Sequence, residues 1–157
     1  MSEETTERKR QIKRLQQNLS SIRKIAGWTA EVLGDKIGVT KQTISNLENH
    51  KSTMNFSQYI AIRSILDAEK TNNKENELLP KVVAILLDSE DEIDVDDYSK
   101  VQDVVETVAA TAAGGAPTSK LDSVFDVLIK SIPFVIPVIG VIIATVDWKK
   151  ILGKGDD

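Results

Sequence analysis

The sequence predicts an all-α fold. An N-terminal domain of four to five short helices is followed by an acidic linker and by C-terminal helices with a strongly apolar segment. Three observations point there. Apolar residues recur at helical spacing through most of the chain. Glycine stops and Thr or Asn caps bracket the short N-terminal segments. Charge then divides the chain: residues 1–67 hold 11 Lys+Arg against 7 Asp+Glu, net +4, whereas residues 68–157 hold 9 against 17, net −8. The first part suits a polyanion and the second does not.

Residues 1–14 are a basic polar arm carrying Arg8, Lys9, Arg10, Lys13 and Arg14. It is expected to be frayed or a helical extension, and either to solubilise the chain or to touch phosphates. Residues 15–70 form the compact domain. Leu15, Leu19, Ile22, Ile25 and Ala26 share one helical face that stops at Gly27. Thr29 caps a second helix carrying Leu33 and Ile37, and Gly38 ends it. Thr40 caps a third, with Ile44 and Leu47 on its inner face. Residues 51–54 read as a loop. Asn55 caps a fourth, with Gln58 placed for a capping box and Tyr59, Ile62, Ile65 and Leu66 as its apolar face.

Residues 71–87 are a polar connection and an apolar helix, with Pro80 tolerated in its first turn. Residues 88–117 open on the acidic run DSEDEIDVDD, expected as a solvated linker because it lacks the glycine and ligand spacing of a calcium loop. Val101, Val104, Val105, Val108 and Ala112 then mark one helix face, broken at Gly114-Gly115-Ala116-Pro117. Residues 118–157 contain SIPFVIPVIGVIIATV, an uncharged stretch at 131–146 followed by Asp147, Trp148, Lys149 and Lys150. Two readings stay open for it: membrane contact through 124–148, or burial in an oligomer.

Composition excludes several chemistries. The chain has no cysteine and one histidine, His50, so disulfides, thiol catalysis and zinc-thiolate or poly-histidine metal sites within one chain are excluded. Glycine-rich phosphate loops and paired catalytic carboxylates are also missing. No enzyme, metal or cofactor is expected. The N-terminus MSEETTERKRQIKR is charged and lacks the apolar core of a secretory signal, so a cytoplasmic, nucleoid-associated location is expected, with membrane association through the C-terminal segment as the variant.

A helix, a glycine turn at Gly38 and a second helix over 40–48 make a helix-turn-helix. Such a motif places its second helix in the major groove with N-terminal residues toward base edges. Ile44 and Leu47 supply the inner face, and Lys41, Gln42, Ser45 and Asn46 the outer one. Gln42 and Asn46 lie one turn apart, and amides pair bidentately with adenine.

The stretch IRKIAGWTAEVLGDKIGVTKQTISNLE resembles the Cro/CI (XRE-type) helix-turn-helix family. Arg23, Gly27, Trp28, Thr29, Glu31, Leu33, Gly38, Val39, Thr40, Ile44, Ser45, Leu47 and Glu48 carry the resemblance, which fades through SQYIAIRSIL to Leu66. It implies a lambda-repressor-like domain in a transcription regulator that binds double-stranded DNA as a homodimer or higher homo-oligomer. It assigns base contacts to Lys41, Gln42, Thr43 and Asn46. Thr29, Ser45, Lys51, Ser52 and Thr53 are the expected phosphate contacts, and Arg23 with Glu48 a structural salt bridge. Two positions depart from the pattern: Ala30 replaces a phosphate-binding glutamine, and His50 replaces a glycine after the third helix. Two alternatives stand beside this reading: a membrane-associated regulator or effector with a DNA-binding head, and an antitoxin-like protein-binding module.

Overall fold

A computed structural model describes residues 3–89 and 92–132. Among them every regular element is helical: α1 (Glu3–Ile25), α2 (Ala30–Ile37), α3 (Lys41–Glu48), α4 (Phe56–Asn72), α5 (Leu78–Leu87), α6 (Val95–Ala113) and α7 (Thr118–Ile129).

The short helices end where local chemistry ends them. Thr29 and Thr40 adopt extended backbone, and their hydroxyls accept from Val32 N and Thr43 N. Gly38 closes α2 in the left-handed region at φ 76°, which a glycine enters without steric cost. Asn55 and Gln58 complete the capping box of α4 in both directions. Each cap satisfies an amide that the helix start would otherwise leave without a partner.

Of the two readings of the basic arm, the helical extension is the one seen: the arm is the first half of α1, which runs unbroken from Glu3. Two boundaries differ from the sequence reading. Helix α4 continues to Asn72, because its polar last turns still complete backbone hydrogen bonds up to Asn73 N→Glu69 O. The acidic run is only in part a linker. Asp94 caps α6 by accepting from Asp97 N at 2.8 Å, so Asp96 and Asp97 form its first turn. Carboxylates there face the positive end of the helix dipole, which favours a helix start over a solvated coil.

One apolar core joins the two halves of the chain. It runs from Leu15, Leu19 and Ile22 of α1 through Ile44 and Leu47 of α3 to Leu79 and Val83 of α5, Val101 and Val105 of α6 and Phe125 of α7. Helix α1 is the central element: α3 and α4 pack on it, and so do α5 and α6. Polar contacts fix this register. Buried Asn76 donates to Ile25 O at 2.8 Å and accepts from Leu79 N, tying the end of α1 to the start of α5. Asn18 donates to the Tyr98 hydroxyl at 3.0 Å and accepts from Gln102, which locks α1 to α6. Lys81 of α5 lies 2.8 Å from Asp122 and 3.1 Å from Asp126 of α7.

Among the described residues, no helix is long and apolar enough to cross a membrane. Residues 124–132 of the expected membrane segment belong to α7 and its end, where Phe125, Ile129 and Ile132 enter the core. Residues 133–148 lie outside the described residues.

Candidate nucleic-acid interface

The site begins with the packing of α2 on α3. Leu33, Ile44 and Leu47 are each at most 1 % exposed, so the inner faces of both helices are committed to the core. The turn between them is tight. Val39 N donates to Gly34 O at 2.9 Å, and a Cβ at Gly34 would stand 2.6 Å from Val39 O. Only hydrogen fits there. The sequence reading passed over Gly34, although its place four residues before Gly38 on a packed face is a usable signal.

Arg23 sets the position of α3 against α1. Its Nε and Nη2 donate to the two carboxylate oxygens of Glu48 at 2.7 and 2.9 Å, and its Nη1 donates to Trp28 O at 2.9 Å. Trp28 immediately precedes the cap of α2. One guanidinium therefore ties α1, the α1–α2 turn and the end of α3 together. Its planar fork suits this bidentate geometry.

Gln16 does the same for the loop after α3. It is buried, donates to Leu47 O and Ser52 O at 3.0 and 2.8 Å, and accepts from Met54 N at 2.9 Å. Met54 is itself buried. The loop at 49–53 thus stands on a polar pedestal. Sequence reasoning missed Gln16, because a glutamine on a helix gives no sign of the backbone that will meet it. His50 lies in this loop at φ 58°, in the left-handed region. That backbone requirement explains why a glycine suits this position.

The outer face of α3 carries the expected base-reading residues. Lys41 and Gln42 are exposed, and Thr43 and Asn46 are half-buried. Gln42 Nε2 donates to Asn46 Oδ1 at 2.9 Å, so the two amides form one unit. This leaves the Gln42 carbonyl as an acceptor and the Asn46 NH₂ as a donor group. The Thr43 hydroxyl lies 2.9 Å from that of Thr40.

The expected phosphate contacts fall in three places. Thr29 is exposed at the start of α2; its oxygen accepts from Val32 N, and its O–H proton remains available to donate. Ser45 is half-buried and accepts from Asn49 Nδ2 at 3.3 Å. Lys51, Ser52 and Thr53 are exposed on the loop that Gln16 supports. Ala30 is half-buried, and the neighbouring Glu31 is exposed in the first turn of α2. A carboxylate there opposes an incoming phosphate at that helix start.

Among the described residues no cluster of His, Cys, Asp and Glu is arranged to hold a metal ion.

A helix-turn-helix family model matches residues 13–67, the span that holds α2, α3 and all of these contacts. The family is DNA-binding and regulatory rather than enzymatic. No curated protein and no solved structure matches the chain. Residues 13–67 are therefore a helix-turn-helix domain of the Cro/CI (XRE) type, a DNA-binding unit joined to a helical C-terminal half through one core.

Proposed function

We propose that the protein is a sequence-specific transcription regulator that reads the major groove with α3. The observation that carries this reading is the Gln42–Asn46 amide pair. It stands on the outer face of a helix whose inner face is buried and whose end is clamped by Arg23. A rigid helix carrying adjacent amide donors and acceptors matches the N7 and N6 edge of adenine. Lys41 reaches a guanine or a phosphate from the first turn. Thr29, Ser45, Lys51, Ser52 and Thr53 set register on the backbone without reading sequence.

Two copies on paired half-sites complete the reading, because one short helix covers too few base pairs for a unique address. Val124 and Val127 are exposed on α7 at 47 % and 68 % and supply an apolar face for that dimer. The protein acts where the DNA is.

Selection of duplexes from a random pool by the full chain tests this. A defined site, bound as a dimer, is expected. Gln42→Ala with Asn46→Ala should erase the preference for that site while circular dichroism stays unchanged. Selectivity that survives both substitutions refutes the assignment of α3.

A further inference from the structure

The helix-turn-helix match begins at residue 13, yet α1 begins at Glu3. Nearly three turns of helix thus precede the matched domain at about 3.6 residues per turn. They hold three of the five basic residues of the arm, Arg8, Lys9 and Arg10, and Lys13 and Arg14 follow just inside the matched span.

The structure divides those five charges among different faces. Arg8 stacks 3.9 Å over the Phe56 ring. Arg10 lies 3.5 Å from Glu7 on its own helix. Arg14 lies 4.4 Å over Tyr98, on the side that meets α6. Lys9 and Lys13 take a different side. Residues 9, 13, 16, 20 and 23 follow the i, i+4, i+7 rhythm of a single helix stripe. Two members of that stripe have fixed positions: Arg23 is held on Glu48, and Gln16 on Leu47, Ser52 and Met54. The stripe is therefore the flank of α1 that borders the end of α3 and its following loop.

Lys13 and Lys9 continue it beyond Gln16, by about 5 and about 10 Å along the axis at a rise of 1.5 Å per residue. Both are exposed, as is Lys51 on the adjoining loop. Among the described residues Lys13 and Lys51 form no ion pair.

We propose that Lys9 and Lys13 form a phosphate-binding track that extends the loop contact at Lys51 and grips the DNA backbone flanking each half-site. This rests on the major-groove reading above. Lysines on one helix stripe present point charges about one turn apart, which suits successive backbone phosphates and reads no bases. The track adds affinity and salt dependence, and no sequence preference.

The test uses the full chain and the duplex it selects from a random pool, with a mixed-sequence duplex of equal length beside it. Lys9→Gln/Lys13→Gln is compared with Arg10→Gln/Lys100→Gln, which removes the same charge from other faces. The slope of log K against log salt should fall in the first variant by roughly 0.9 per phosphate contact, hence by about 2 for each bound copy and about 4 for the dimer, on both duplexes. It should stay near wild type in the second. Trimming the selected duplex to its half-sites should make wild type and the first variant equal. An unchanged slope, or an equal loss in both variants, overturns the track alone. A wild-type chain that selects no duplex overturns the track and the major-groove reading together.

Discussion

Arg23 and Glu48, 25 residues apart, meet in a two-pronged ion pair at 2.7 and 2.9 Å with side chains only 12 % and 11 % exposed. The pair fixes the angle at which α3 leaves the core. Breaking it by Arg23→Met strands a nearly buried carboxylate and releases Trp28 O, and should cost about 3 kcal/mol in chemical denaturation. Arg23→Met with Glu48→Leu should recover much of that loss, because an apolar pair avoids the desolvation of two charges. DNA affinity should remain low in the double variant. Full affinity there, or a single variant within about 0.5 kcal/mol of wild type, contradicts a positioning role.

Gln16 supports the loop after α3 through three hydrogen bonds to backbone. Gln16→Leu removes them and leaves Ser52 O and Met54 N without their partner. A loss of about 2–3 kcal/mol is expected, together with faster amide exchange at Met54. Unchanged exchange at that amide argues against the pedestal.

Gly34 and His50 make opposite predictions. Gly34→Ala places a methyl 2.6 Å from Val39 O, which neither backbone can yield cheaply, and should destabilise by about 1–3 kcal/mol. His50→Gly relieves a left-handed residue and should stabilise by about 1 kcal/mol. Thermal melts of the two variants decide both. A stabilising Gly34→Ala removes the steric account of the α2–α3 turn.

Lys81 links α5 to α7 between two carboxylates. Burial pushes its ammonium down, but hydrogen bonds and charge from Asp122 and Asp126 more than offset this, and it is raised above the ordinary 10.5. A cation raised in the folded state contributes stability that is fully present below its unfolded value and is lost as pH rises through the raised one. The stability difference between wild type and Lys81→Met should therefore stay flat from pH 7 to 9 and shrink only above about 10.4. A difference that fades near neutrality contradicts this linkage.

Much of the N-terminal fold was legible because its signals are local. Thr29, Thr40 and the Asn55–Gln58 box cap helices within three residues of themselves, so the sequence displays both partners together. The same holds for Gly38 and for the apolar spacing of Ile44 and Leu47. The Arg23–Glu48 pair was expected from the family resemblance. Residue pattern alone does not bring together groups 25 positions apart. Helix α4 outran its expected end because polar residues carry no apolar rhythm yet still complete a helix ladder.

The sequence by itself determined α2, α3 and the start of α4, their N-terminal caps and the chemistry of the outer face of α3. Those depend on residues a turn apart and on the dihedral preferences of glycine and threonine. Only the tertiary structure decided that Gln16 supports the recognition loop, that Asn18, Tyr98 and Asn76 join both halves in one core, and that Gly34 must lack a side chain. The reason is physical. A buried amide, or the space around a Cα, takes its meaning from backbone that arrives from distant residues when the chain closes on itself.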